Sequence, residues 1–150
     1  MDGILRKLPI GIQTFEKLRE GDYLYVDKTA LVWRIASTET PYFLSRPRRF
    51  GKSLLLSTFE AYFEGKKNLF EGLAIADMEK EWKKYPVLHL DLNAEKYDSP
   101  QALVEILSRQ LTQWELKYGK GEDEETLSGR FAGVIRRACE QSGRGVVVLV

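Results

Sequence analysis

Apolar residues recur along this chain in two rhythms, and the change from one to the other marks its elements. Leu55, Phe59, Tyr62 and Phe63 fall at i, i+4, i+7 and i+8, one face of a helix that opens near Lys52 and stops at Gly65. The same spacing sets Leu103, Ile106, Leu107, Leu111 and Trp114 on one face of a second helix. Ser99-Pro100 opens that helix, with serine as N-cap and proline in the first turn, and it ends by Gly119. A third face, Leu127, Phe131, Val134, Ile135, Ala138 and Cys139, starts from about Thr126 and makes Cys139 a core residue. Between these helices lie short apolar runs at 42–44, 87–92 and 145–150, which read as strands. The last, Val-Val-Val-Leu-Val after Gly145, has the β-branched composition of a strand buried on both faces.

Smaller elements fill the rest. Residues 8–12 and 23–26 read as extended, with a short helix over 14–20 ending at Gly21. Asp27 is expected to cap a helix carrying Leu31, Val32 and Ile35 to about Ser37, and Asp77 one over 78–84 anchored by Trp82. Strands separated by helices predict an α/β fold with a parallel sheet flanked by helices. In such sheets ligands bind at the carboxyl ends of the strands. That sets the loop after Leu44, residues 91–93 and whatever follows Val150 on one functional rim. The division expected is a lead-in over 1–40 and core βαβ units over 41–150. Because the chain stops inside a strand, without cap or turn, it is expected to be the N-terminal part of a longer domain.

The chemistry concentrates between the strand at 42–44 and the helix after it. Gly51-Lys52-Ser53 are the last three positions of the phosphate-binding pattern G-x-x-x-x-G-K-[ST], and the one departure is Arg46 at the first glycine. The tripeptide alone is an ordinary helix start. A strand before it and a helix after it supply the context that a phosphate loop requires. The first helical turn has N–H groups without intrahelical partners and carries the positive end of the helix dipole. Gly51 lets the backbone approach a phosphate chain closely. Lys52 reaches the β- and γ-phosphates, and the Ser53 hydroxyl binds Mg²⁺. Pro47 has no N–H, so the donors come from later in the loop. The binding set is Arg48, Arg49, Phe50, Gly51, Lys52, Ser53 and Leu54, with Lys52 as the catalytic residue and Ser53 as the metal ligand.

Composition narrows the remaining classes. At 150 residues the chain can bury a core, and 43% apolar with 30% charged residues is the balance of a globular protein. A net charge of +1 gives no general drive toward nucleic acid. One cysteine and one histidine exclude a disulfide framework and a thiolate or histidine metal cluster. No apolar run reaches the roughly 18 residues of a membrane span, and Met1-Asp2-Gly3 lacks the opening of a signal peptide, so the cytoplasm is the expected compartment.

At this point the residues resemble a known family, the bacterial AAA-ATPase-like proteins. Tyr25-Val26-Asp27-Lys28-Thr29 resembles it, as do the run from Tyr42 through Arg46-Pro47-Arg48-Arg49-Phe50-Gly51-Lys52-Ser53 and Tyr62-Phe63-Glu64-Gly65. So do Leu69-Phe70-Glu71-Gly72-Leu73-Ala74-Ile75 and Pro86-Val87-Leu88-His89-Leu90-Asp91. Arg46 at the first glycine position is usual there, and the loop is more distantly similar to that of archaeal-type STAND ATPases. The resemblance implies a P-loop NTPase core that binds ATP with Mg²⁺ through its degenerate phosphate loop and is truncated before the Walker B acidic residues, so that hydrolysis is expected only in the full-length protein. It places Tyr25 to Thr29 near the adenine, though Tyr25 and Val26 also read as plain core residues. It further implies a C-terminal PD-(D/E)XK nuclease-like domain, and through it nucleic acid as a partner. No Asn-Lys-x-Asp motif is present to read guanine.

Several residues keep more than one reading. Arg46, Arg48, Arg49 and Lys52 serve phosphate stabilisation, nucleic-acid contact or a structural ion pair. In the second case the chain is a non-catalytic interaction module whose basic loop binds protein or nucleic acid. Asp91 stands near the Mg²⁺ region or simply where a strand ends. His89 is expected to be packed within its strand, and Glu122 to Glu125 to be a solvated loop.

Overall fold

Gly51 and Gly65, at φ +75 and +69, bracket helix α3 (Lys52–Phe63) in the computed structural model, which describes residues 5–47, 49–92 and 98–150. At the far end Gly65 N–H donates to Tyr62 O and Lys66 N–H to Ala61 O, the paired bonds of a Schellman stop. A Cβ at Gly65 would stand 3.0 Å from Trp82 O, so glycine serves both the turn and the close approach.

The chain divides into two compact units, Met1–Lys84 and Tyr85–Val150. The first holds α1 (Phe15–Glu20), α2 (Thr29–Ala36), α3, a 3₁₀ turn (Lys67–Phe70) and α4 (Ala74–Met78). Phe15, Leu18, Val32, Phe59, Leu69, Phe70 and Ile75 are its buried core. The Phe70 ring sits 4.7 Å from Phe15 and 5.2 Å from Trp82, so its aromatic packing ties α1 to the end of the unit.

Asp27 caps from one position further out than expected. Lys28 occupies the cap position of α2, while one Asp27 carboxylate oxygen accepts from Thr29 N–H (2.8 Å) and Thr29 Oγ1 (2.6 Å). The other accepts from Ala74 N–H (2.7 Å), and Thr29 Oγ1 in turn accepts from Ile75 N–H (3.1 Å), so one side chain organises the starts of α2 and α4. Burial pushes the Asp27 carboxyl up, but the Thr29 hydroxyl and the Ala74 and Thr29 N–H groups outweigh it and hold the group below its ordinary value.

Two expected elements do not form. Residues 42–44 are not a strand, and Phe43 is 93% exposed. The one strand-like pairing described in this unit is the parallel bridge between Lys7 and Tyr23, so the segment at 42–44 has neither ladder bonds nor covered faces, and a buried parallel strand needs both. The helix over 78–84 is replaced by α4, in which Asp77 lies, followed by irregular chain. The Glu79 carboxylate accepts the N–H groups of Glu81 and Trp82 and the Tyr62 hydroxyl, and Trp82 takes a left-handed φ of +46. Those local bonds compete with helical ones.

The second unit is helix-rich around a small sheet, consistent with α/β. Strand β1 (Val87–His89) pairs in parallel with β2 (Val147–Leu149), Val87 opposite Val147 and His89 opposite Leu149. Helices α5 (Pro100–Tyr118) and α6 (Leu127–Ser142) make the crossover. β1 is shorter than the 87–92 run, and His89 is half-buried in it, as expected. Ser99 Oγ accepts from Ala102 N–H, as its cap signal predicts, and Thr126 Oγ1 likewise caps α6 by accepting from Gly129 N–H. Leu88, Tyr118, Val134 and Ala138 form the core, with Trp114, Phe131 and Ile135 packed on it. Cys139, expected in that core, is exposed; the apolar stripe is narrower than the sequence suggests.

Two ion pairs fasten α6. The Arg130 guanidinium meets Glu115 through two bonds of 2.8 Å and also donates to Ser108 and Thr112. Arg137 grips Glu124 at 2.6 and 2.9 Å, and the Glu124 carboxylate occupies the space where a Gly133 Cβ would stand. Glu124 therefore departs from the solvated reading of its loop. The Arg137 guanidinium holds its carboxyl down to about 2. A carboxyl depressed on folding contributes stability above its ordinary value near 4.5, and that contribution is lost as pH falls from there toward about 2. Glu124→Gln is expected to flatten the acid limb of a denaturant-midpoint profile over that window and to leave the slope above pH 6 unchanged. An acid limb of unaltered steepness would show the pair makes no such contribution.

Candidate functional site

The middle of α3 packs into the core of the first unit: Thr58, Phe59 and Ala61 are buried, while Lys52 and Ser53 at its start stay exposed and Leu54 is half-buried. Among the described residues no side chain caps this helix. Its first bond runs from Leu55 N–H to Gly51 O (2.9 Å), which leaves the N–H groups of Lys52, Ser53 and Leu54 without intrahelical partners.

The loop leading in is sharply folded. Arg49 and Gly51 are both left-handed, at φ +66 and +75. A Cβ added at Gly51 would meet nothing within 4 Å, so the backbone there is open to an approaching group. Lys52 Nζ reaches back across the loop and donates to Arg46 O at 3.0 Å. The residue in place of the pattern's first glycine thus contributes its carbonyl, which any side chain would leave available. Phe50 is 62% exposed. Arg48 lies outside the described residues, as does Asn93.

The structure therefore brings Arg46, Arg49, Phe50, Gly51, Lys52, Ser53 and Leu54 into one turn of chain at a helix start. Asp91, exposed beyond the end of β1, belongs to the second unit. Tyr25 is half-buried with its ring 5.3 Å from Phe15, whereas Val26 is exposed. Burial raises the Tyr25 phenol above its ordinary value, opposed by a hydrogen bond with Thr58.

Ser57 and Thr58 escaped the sequence reading. Both hydroxyls donate to Leu54 O at 2.8 Å, and Ser57 Oγ accepts from Phe15 N–H at 2.9 Å. Their signal was present: serine and threonine inside a helix bond back to the carbonyl three or four residues earlier.

Elsewhere, a groove of about 690 Å³ in the second unit is lined by Ser108, Thr112, Glu115, Lys120, Glu124 and Arg130; there Arg130 pairs with Glu115, and Glu124 with Arg137. Among the described residues no three His, Cys, Asp or Glu side chains cluster to hold a metal ion, and no helix is long and apolar enough to cross a membrane.

A family model described as Predicted AAA-ATPase matches residues 9–150. An uncharacterized protein encoded in the vnfD 5' region of Azotobacter chroococcum mcd 1 is 43% identical over 146 residues, which is 97% of this chain and 28% of that protein. The chain thus spans less than a third of the length of this relative. No solved structure matches.

Proposed function

The chain belongs to the predicted AAA-ATPase family, and from that premise we propose that its loop over 46–54 binds the phosphates of ATP with Mg²⁺. The observation that carries this reading is the uncapped start of α3, entered through left-handed Gly51 with open space above it and Lys52 folded over the loop. Three N–H groups at the positive end of a helix of 12 residues suit an anion.

Each residue then has a task. Lys52 leaves the Arg46 carbonyl and neutralises charge on the β- and γ-phosphates. The N–H groups of Gly51, Lys52, Ser53 and Leu54 orient the phosphate chain. Arg49 supplies a guanidinium donor at its flank, and Arg48, its neighbour in sequence, is a further candidate donor. The exposed Ser53 hydroxyl is the group that would hold Mg²⁺, and the ion would offset phosphate charge there. The donor set fits that ion: a hydroxyl and phosphate oxygens, with most of the shell left to water. Hydrolysis, and any partner such as nucleic acid, belong on this reading to the longer protein.

A fluorescent ATP analogue titrated against the protein tests it. We expect saturable binding displaced by ATP and ADP and not by adenosine, since the phosphates carry the contacts. Lys52→Ala should weaken it by about a hundredfold or more, the worth of a charge-assisted contact to a multiply charged ligand. Displacement by adenosine as readily as by ATP would contradict the phosphate assignment.

A further inference from the structure

A chain of hydrogen bonds runs from α1 to the first anion-facing amide of α3. Phe15 N–H donates to Ser57 Oγ at 2.9 Å. The Ser57 and Thr58 hydroxyls both donate to Leu54 O at 2.8 Å. The peptide that carries Leu54 O also carries Leu55 N–H, which donates to Gly51 O at 2.9 Å. The peptide that carries Gly51 O carries Lys52 N–H, one of the three free donors at the helix start.

Two side-chain hydroxyls on one backbone carbonyl, in addition to the helical bond, are not needed to hold a helix together. Such back-bonding is neutral or slightly unfavourable for the helix itself. Its physical effect lies elsewhere. Each bond accepted by a peptide carbonyl polarises that peptide and makes its N–H a better donor, and the effect passes along a continuous chain. The links converge in one direction, toward Lys52 N–H. Thr58 is fully buried and Ser57 half-buried, so the bonds are shielded from water, where such polarisation is strongest.

We infer that Ser57 and Thr58 are positioning residues for the phosphate site, acting through the Leu54–Leu55 and Gly51–Lys52 peptides to fix and strengthen the Lys52 amide as an anion donor. The inference rests on the phosphate-binding reading of the loop and adds a second layer to it. The lead-in helix α1 thereby takes part, since Phe15 N–H fixes the Ser57 hydroxyl that feeds the chain.

The test is Mg-ATP affinity of Ser57→Ala, of Thr58→Val, which keeps the shape and loses the hydroxyl, and of Thr58→Ser, which restores it, with Lys52→Ala alongside. Each hydroxyl loss is expected to weaken binding about fivefold, and the double loss more than either. Thr58→Ser should return the parent value. The ligand-free melting temperature, measured on each variant, separates the roles, because a merely structural hydroxyl lowers it and leaves affinity alone. Affinity unchanged in Ser57→Ala and Thr58→Val while Lys52→Ala abolishes binding would overturn this inference and leave the loop assignment standing. Full binding by Lys52→Ala would overturn both. Should Thr58→Val fail to fold, Ser57→Ala decides the matter by the same comparison.

Discussion

Replacing Phe70 by alanine is expected to cost the first unit about 3–5 kcal/mol, the range for deleting a buried aromatic ring. Phe70 is completely buried, and its ring centre lies 4.7 Å from that of Phe15, 5.2 Å from Trp82 and 6.4 Å from Tyr62. It sits in the short 3₁₀ turn, whose own backbone bonds are too few to hold it in place. The Arg19 guanidinium braces the turn from outside, donating to Leu69 O (2.7 Å) and Glu71 O (2.6 Å). A domain of ordinary stability has about 5–15 kcal/mol in total, so this loss leaves little. The check is a denaturant titration followed by tryptophan fluorescence, since Trp82 packs on the ring. Phe70→Leu should cost much less, because most of the volume is kept. A loss below about 1 kcal/mol in the alanine variant would mean that these rings do not form the core of the unit.

Arg130→Ala is expected to have a comparable effect on the second unit, about 3 kcal/mol, from the charge it would strand. The Glu115 side chain is 6% exposed, and its carboxylate is matched by Arg130 through two bonds of 2.8 Å. Arg130 holds that carboxyl below its ordinary value, so it is ionised at neutral pH. Removing the arginine also leaves the Ser108 and Thr112 hydroxyls without this donor. The lower end of the usual range applies because the pair borders an open groove that water enters. Removing both charges, as Glu115→Leu with Arg130→Met, should recover most of the loss, since an apolar pair of similar volume strands nothing. Equal unfolding midpoints for the parent and Arg130→Ala would show that the pair adds no stability to the α5–α6 packing.

What the sequence made legible is where short-range physics decides. The start of α3 at Lys52, the cap Ser99, the helix start near Thr126 and the stop at Gly65 each follow from one residue's conformational or hydrogen-bonding preference, and each stands where expected. The parallel pairing of the 87–92 and 145–150 runs follows from their apolar, β-branched composition joined by two helices. The misses arise where neighbours decide. Residues 42–44 have strand composition but, among the described residues, no strand beside them. Trp82 reads as the apolar anchor of a helix, yet Glu79 captures the backbone N–H groups that such a helix would need. Cys139 lies on the expected apolar face but outside the narrower stripe that packs, and Glu124, read as part of a solvated acidic run, is drawn in by Arg137 and the space at Gly133. Of the candidate site, the helix start at Gly51-Lys52 could be read directly, whereas the strand expected before it is not formed. The Arg46 carbonyl under Lys52 and the hydroxyls under Leu54 could not, because backbone oxygens have no letter in a sequence.

Thermal unfolding of the parent protein and of Lys52→Ala, each with and without Mg-ATP, tests the central claim most directly. Ligand at 100 times its dissociation constant stabilises the folded state by about 2.7 kcal/mol. The account predicts a raised melting temperature in the parent and at most a small fraction of that rise in Lys52→Ala, from ligand-free transitions that coincide, because Lys52 is exposed and its removal leaves the core intact. A cooperative parent transition that Mg-ATP does not move, or an equal shift in both proteins, would contradict it.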